Sequence, residues 1–486
     1  MPTSILPSAT TRSRRQPVTL QGIVIAIALG ATMFNRVAVV AQNFRFATFN
    51  LSLYGQNAGE VLARLQSGND PQAQHLAEII QRVRPDVLLL NEIDDDPQGK
   101  VLATFCEKYL AQPQHVSKSP DGPARPLEFA HRFRAPSNAG RHSGFDLGRN
   151  GAVDANSDAY AADAWGYGRY PGQYGMAILS RLPIDTAAIR TFQNFRWRDM
   201  PRALLPDDPA IPEPADWYSA AVLEQFPLSS KSHWDVPIIV GGRRLHLLAS
   251  HPTPPTFDGP EDRNGRRNHD EIRFWIDYTS PAEQGAYVYD DKGQRGGIAV
   301  ERGQRSEARG RGERSEVGGR KEQKKLVSRD AAAERSPPTS DLHPPTSSPS
   351  FIILGDLNGD PLDGDGPAGI AALLNAPQIL KYPPPASVGA AEQANLQGGA
   401  NARHRGDSAH DTCDPADKPG PGNLRIDYVL PSADLRVAKS GVFWPATTDP
   451  LFTLVGVHPF PSSDHRLVWV DIQLGSVEPP SDNVAK

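Results

Sequence analysis

Apolar and polar residues alternate from Asn43 to Asn50 (Asn-Phe-Arg-Phe-Ala-Thr-Phe-Asn), a period of two that predicts a strand with one buried face. The period lengthens after Pro71. Leu76, Ile79, Ile80 and Val83 recur at helical spacing, with Asp70 placed to cap the helix and Pro71 at its first position. Pro85-Asp86 ends that helix, and Val87-Leu88-Leu89-Leu90 follows as a wholly apolar strand of the kind buried on both faces. It stops at Asn91-Glu92. A strand, a helix and a strand in this order predict an α/β layered domain. Further strands are predicted at Gln173–Ser180, Arg244–His251, Ser350–Leu354, Leu424–Leu430 and Arg466–Gln473, with a turn over Pro459–Asp464 before the last. His269–Tyr278 reads as a helix with Ile272, Trp275 and Ile276 on one face. Residues 111–170 and 199–235 lack periodicity and read as long loops, with Trp197, Trp217 and Trp234 in or beside the second. No internal repeat is present.

Residues 293–350 differ in kind. They combine Arg, Glu, Gly and Ser, then Pro, Ser and Thr, with almost no large apolar residue, and cannot bury enough surface to offset the entropy of ordering. They read as a disordered insertion inside one domain, because an apolar strand resumes directly after them. The N-terminus reads as an export signal of residues 1–41. Arg12 to Arg15 are basic, Val18 to Ala31 mostly apolar, and Val39-Val40-Ala41 offers a cleavage site before Gln42. The apolar run is shorter than the roughly 20 residues a membrane-spanning helix needs. Cleavage therefore stands ahead of retention as a membrane anchor, and the expected location is secreted or periplasmic. The expected organisation is one domain from 42–292 and 351–475, with 476–486 as a tail.

Composition adds two constraints. An apolar fraction of 38% beside 42 Gly and 46 Pro suits a real core wrapped in much loop. The net charge of -5 is uneven: the signal is basic, and residues 293–350 hold 12 Lys/Arg against 8 Asp/Glu. What remains is strongly acidic, which argues against duplex DNA as a main partner and suits a site rich in carboxylates. The two cysteines, Cys106 in a helix-like segment and Cys413 in a polar loop, leave one disulfide open and make no metal site.

The apolar strands end in, or contain, polar residues. Glu92 follows the second strand, His251 follows Leu245–Ala249, Asp356 and Asn358 follow Phe351–Leu354, Asp427 lies within its strand, and Asp464-His465 precedes the last. Strand ends in layered α/β folds are where ligand sites gather. Carboxylates meeting there need a compensating cation, and a hard divalent ion with oxygen ligands is the simplest one. Taken singly, each residue has a plainer reading: a solvated strand end for Glu92, turn chemistry for Asp356, a satisfied histidine for His251. Their joint occurrence carries the weight. Asp356-Leu357-Asn358-Gly359-Asp360 imitates the start of a calcium-binding EF-hand loop, but Pro361 and Pro367 stand where that loop needs Gly and a bidentate Glu. Zinc would want clustered His or Cys, which are missing.

In order, Thr48-Phe49-Asn50, Asn91-Glu92, Tyr174 to Arg181, Ser250-His251, Gly355-Asp356-Leu357-Asn358, Arg425-Ile426-Asp427-Tyr428 and Ser463-Asp464-His465 resemble the endonuclease/exonuclease/phosphatase superfamily, the DNase-I-like fold. The matches run from about residue 44 to 473. The resemblance implies a four-layer α/β sandwich, two mixed β-sheets face to face with helices outside, and a site at one end of the sheets. It implies Glu92 as main metal ligand, with Asn50 and Asp464 near the metal. Asp356 would orient or deprotonate the attacking water, and Asn358 would bond a phosphate oxygen. Asp427 would orient His465 against the phosphate, and His251 matches an extra histidine that can protonate the leaving oxygen; which of the two histidines is the acid is left open by the sequence. Mg²⁺ is the expected cofactor, with Mn²⁺ or Ca²⁺ as alternatives. Arg267, before the predicted helix, is either a phosphate clamp or a surface residue.

The expected function is an exported metal-dependent phosphoesterase, and a phosphodiesterase ahead of a phosphomonoesterase. The expected substrate is a phosphate ester, with nucleic acid and phospholipid headgroups both open, and no protein partner is indicated, so the chain reads as a monomer. A nuclease, a sphingomyelinase-like lipid phosphodiesterase and a non-catalytic binding protein on the same fold are the alternatives. Sphingomyelinase-like action favours exposed aromatics, for which Trp197, Trp217 and Trp234 are the candidates.

Overall fold

The alternating segment at Asn43–Asn50 forms the middle of β1 (Ala41–Leu53), and the apolar run after it forms β2 (Val87–Ile93). Between them lie α1 (Glu60–Gln66) and α2 (Pro71–Val83). Asp70 caps α2 by accepting the Ala73 N–H at 2.9 Å, as the sequence pattern predicts. The computed structural model describes residues 41–153, 158–212, 214, 216–298, 349–415 and 420–475. The signal up to residue 40, most of the insertion and the tail from residue 476 lie outside the described residues.

Continuing along the chain are α3 (Lys100–Phe105), β3 (His131–Phe133), β4 (Gly175–Ser180), β5 (Arg190–Thr191), α4 (Ala220–Leu223), β6 (His233–Val240), β7 (Arg243–Ser250) and α5 (Arg263–Thr279). After the insertion come β8 (Phe351–Asp356), α6 (Pro367–Asn375), α7 (Val388–Gln397), β9 (Asp427–Pro431), β10 (Val437–Val442) and β11 (Val468–Gly475). The strands form two mixed sheets in the orders β10-β11-β1-β2-β4-β3 and β5-β6-β7-β8-β9. β1 runs parallel to β2 and β7 parallel to β8, while the other pairs are antiparallel.

The period of two explains the layering. Leu247, Ile352, Leu354 and Val429 join Phe46 and Leu89 in the core between the sheets. Their neighbours Leu248, Ile353, Tyr428 and Leu430 face outward and are covered by Ile272 and Trp275 of α5 and by Ile370 and Leu373 of α6. On the other sheet, Leu76, Ala77 and Ile80 of α2 close the outer face. The result is the four-layer sandwich expected from the sequence.

Several boundaries differ from the sequence reading. β6 falls within and beyond the stretch read as loop, because Pro237 argues against a central strand. Pro237 is tolerated because its polar backbone faces away from β7: its carbonyl accepts the Asp185 N–H while its partner His246 donates to the Ser350 carbonyl, so no bond of the β6–β7 ladder is lost. β9 begins at Asp427, so that acid opens the strand and does not sit in its middle. Residues 293–298 belong to the folded body: Ile298 is 1% exposed, and the carbonyls of Gln294 and Gly296 accept from Arg190. Trp197 and Trp234 are fully buried core residues, and Trp217 lies under the Arg149 guanidinium, so none is the exposed aromatic proposed for lipid contact.

Candidate active site

Strand direction gathers the polar residues. β1, β2, β7 and β8 all carry Asn50, Glu92, His251 and Asp356 at or just past their C-terminal ends. β9 and β11 run antiparallel to β8 and β1, so Asp427 and the Asp464-His465 pair arrive at the same end from their N-terminal sides. Asp356 pairs with Asp427 across the ladder, and Asn50 pairs with Asn91. Gly355 permits this closeness: a Cβ there would lie 2.0 Å from the Ser250 carbonyl oxygen. Asn91 ties the two sheets beneath the site, its Oδ1 accepting from Thr48 Oγ1 at 3.2 Å and from the Asp356 N–H at 3.3 Å.

Asp356 lies at the centre, 1% exposed. Its Oδ2 accepts from Asn50 Nδ2 at 3.0 Å, with His251 Nε2 at 3.4 Å and His465 Nε2 at 3.8 Å. Its Oδ1 takes the Asn358 N–H at 2.9 Å. Burial alone would push this carboxyl up, but the charge on His465 and the donors of His251 and Asn50 hold it well below the usual carboxylate range.

The two histidines differ. His465 Nδ1 stands 2.9 Å from Asp427 Oδ2, which also accepts Thr412 Oγ1 at 2.8 Å. Burial would lower His465, yet Cys413, Asp427 and Asp356 together raise it well above 6.5. His251 is 1% exposed, and burial, reinforced by the Lys231 ammonium, pushes it down to about 4. Its ring is neutral near pH 7, with Nε2 the atom facing Asp356 and Nδ1 buried without a partner among the described residues.

Glu92 occupies a bulge in β2, where the register slips between Asn91 and Ile93. Its φ of +53° is left-handed, as at Ser52, Tyr174 and Asn358, a strained conformation for residues with a side chain. Among the described residues no hydrogen bond reaches its carboxylate, and the approach of His251 Nε2 is 3.8 Å. Burial, with Asp464 and Asp356 adding to it against His465, pushes Glu92 up to about 7.

A carboxylate of this kind, without a donor and among other carboxylates, fits a hard divalent cation. Glu92, His251 and Asp356 each offer a ligand atom within 4.8 Å of the others. Asp464 is half-buried beside them, its Oδ1 held by Ser52 Oγ at 2.7 Å. Asn50, expected beside the metal, uses Nδ2 on Asp356 and accepts the Ser52 N–H at 3.0 Å through Oδ1, so it braces Asp356 here. Asn358 donates to the Pro252 carbonyl at 3.0 Å and so holds the chain just after His251.

Sequence reasoning missed Thr412 and Lys231, neither of which stands in a motif, and gave Asn91 no role although it stands in the Asn91-Glu92 pair. It also placed Cys413 in an indifferent loop. Cys413 is free, 2% exposed, and within 4.8 Å of ligand atoms on Asp464 and His465, with its thiol pushed up to about 12 by burial. Cys106 is likewise free and buried, so the two form no disulfide. Arg267 is neither clamp nor surface residue: it is 7% exposed and donates to the carbonyls of Leu228 and Pro227.

Two mixed sheets whose ends carry a buried Asp-His pair, a second histidine and an unpaired Glu define a phosphoesterase-type sandwich. The sequence profile of the Endonuclease/Exonuclease/phosphatase family matches residues 47–311 and 326–465, and the chain belongs to that family, whose members are hydrolases acting on phosphoester bonds. Among solved structures it is similar to an endonuclease/exonuclease/phosphatase from Beutenbergia cavernae (14% identity, 89% of this chain and 72% of that one, TM-score 0.41). It is also similar to a family protein from Leptotrichia buccalis (12% identity, 89% and 100% covered, TM-score 0.37). A third is Sphingomyelinase C from Streptomyces griseocarneus (12% identity, 88% and 99% covered, TM-score 0.38). No curated protein matches the sequence.

Proposed function

We propose that the protein is an exported, divalent-metal-dependent phosphodiesterase that cleaves its ester by attack of water on phosphorus. The observation that carries this reading is Asp356, buried and held between Asn50, His251 and His465, beside the donorless carboxylate of Glu92. Export rests on the basic and apolar N-terminal pattern.

Glu92 and Asp464 would hold the cation, which when bound neutralises charge on the phosphate and makes phosphorus more electrophilic. Asp356, kept ionised by its neighbours, orients the attacking water and takes its proton as the new bond to phosphorus forms and the bond to the leaving oxygen breaks. Asp427 fixes the His465 ring through Nδ1, so the proton at Nε2 faces the site and can pass to the leaving oxygen. His251 holds Asp356 from the other side through Nε2, and Asn358 places its amide at the rim. A diester is favoured because a protonated His465 suits a poor leaving group.

The test is hydrolysis of a chromogenic phosphodiester and its monoester counterpart by residues 42–486, with Mg²⁺, Mn²⁺ or Ca²⁺ and with chelator. Diester cleavage should need the ion and disappear in Asp356→Asn and His465→Ala, with both variants remaining folded by circular dichroism. Turnover retained in both variants, or in chelator, would sink the reading.

A further inference from the structure

Lys231 is a buried cation beside this site that no motif announces. It lies two residues before β6, and the pairing of His233 with Ser250 carries β6 past the end of β7 so that Lys231 flanks His251 and Pro252. Its backbone segment is pinned from several directions. Arg267 donates to the carbonyls of Pro227 and Leu228, Glu271 accepts the Ser230 N–H at 2.6 Å, and the Asn138 N–H bonds the Lys231 carbonyl at 2.8 Å. Asn138 Nδ2 also holds the Ser229 carbonyl at 2.8 Å. Glu271 in addition accepts the Thr253 N–H at 2.6 Å, so one carboxylate of α5 clamps the chain on both sides of His251.

The side chain carried by this rigid segment is different. Lys231 is 7% exposed, yet among the described residues its ammonium makes no hydrogen bond and has no carboxylate within 4.0 Å. Burial, with Arg267 adding to it, lowers the Lys231 pKa below its ordinary 10.5, although Glu271, Glu92 and Asp356 favour its charge. A buried ammonium without a partner is unfavourable unless an anion completes its shell.

We infer that Lys231 binds a non-bridging oxygen of the substrate phosphate, as a substrate-contacting catalytic residue of this site. The inference rests on the phosphoesterase reading above and adds to it a lysine, beside the metal ligands, whose charged form a bound phosphate would favour. A preorganised cation aimed where charge develops contributes through electrostatic stabilisation with little reorganisation.

The experiment compares wild type, Lys231→Met and Lys231→Arg by calorimetric titration with inorganic phosphate in Mg²⁺, by kcat and KM on the chromogenic diester, and by thermal melting. Lys231→Met should lose phosphate affinity about tenfold or more and lose kcat/KM about 100-fold, without a lower Tm. Lys231→Arg should restore part of both. A purely structural lysine would lower Tm in the Met variant and leave phosphate affinity in the Arg variant unchanged. Equal phosphate binding by wild type and both variants overturns the inference even if hydrolysis is seen, and so does a wild type that binds no phosphate. Phosphate binding lost in Lys231→Met, in a wild type that hydrolyses neither substrate, supports the inference and removes the phosphodiesterase reading instead.

Discussion

Asp427 Oδ2 serves two groups, His465 Nδ1 at 2.9 Å and Thr412 Oγ1 at 2.8 Å, while its Oδ1 is buried without a partner among the described residues. Such a carboxylate acts through the ring it orients. Asp427→Asn keeps the shape but removes the charge that sustains the His465 proton, so kcat should fall about 10- to 100-fold with little change in KM. A variant with wild-type kcat would show that His465 needs no anchoring. These residues divide by how they announce themselves. Asp356, Asp427 and His465 were legible because each interrupts an apolar strand or abuts one. Lys231 was not: set in Ser229-Ser230-Lys231-Ser232 it reads as loop, and only the pairing of β6 with β7 brings it to His251. Thr412 is equally silent, since a threonine between Asp411 and Cys413 carries no pattern. The strain at Glu92 and Asn358 was also invisible, because left-handed φ at a non-glycine residue is imposed by the surrounding packing.

At the scale of elements, regular patterns were read well and irregular ones poorly. The α2 helix shows both sides. Its cap and apolar stripe were plain, but its buried Glu78 gave no hint that it anchors the long loop after Leu110. Glu78 Oε2 accepts the Ser117 N–H at 3.1 Å, and Oε1 accepts Ser117 Oγ and Arg82 Nη2, the latter at 2.8 Å. Burial would raise this carboxyl, yet those hydrogen bonds outweigh it and hold Glu78 below its ordinary 4.5. A depressed folded-state pKa means stability that is present above pH 4.5 and is lost as pH falls through the lower folded-state value. Glu78→Gln should therefore cost about 1–3 kcal/mol at pH 7. Its deficit against wild type should shrink below pH 4.5, since glutamine does not titrate. Denaturant melts across that range decide it, and a deficit constant with pH would mean the charge contributes nothing. β6 was missed for the opposite reason: its sequence breaks a rule at Pro237, and the backbone orientation that makes the exception harmless, its carbonyl turned to Asp185 and away from β7, has no signature in the sequence.

For the whole molecule, the insertion raises the question of how a site built from residues as far apart as Asn50 and His465 survives a break in the chain. The break falls between α5 and β8, in the crossover that joins parallel strands β7 and β8. The family profile skips residues 312–325 within it. The core on both sides is continuous, since Ile272 and Trp275 before the break pack with Ile353 and Ile370 after it. The important boundary is residue 298. Arg190 is 2% exposed, its Nε paired with Asp290 at 2.9 Å, and it donates to the Gly296 carbonyl through Nη1 and the Gln294 carbonyl through Nη2, each at 2.9 Å. Replacing residues 299–348 with a short Gly/Ser linker leaves those acceptors in place, so Tm should stay within about 2 °C and kcat on the diester should be unchanged. Starting the same replacement at residue 293 also removes the buried Ile298 side chain and frees the segment whose Gln294 and Gly296 carbonyls accept from Arg190, a loss of about 1–3 kcal/mol or more. The second variant should melt several degrees below the first while both retain metal-dependent turnover. Equal melting temperatures would mean that the chain beyond Asp290 adds nothing to the fold. A large loss in the first variant would show that the segment from 299 to 348 packs against the domain and takes part in its stability.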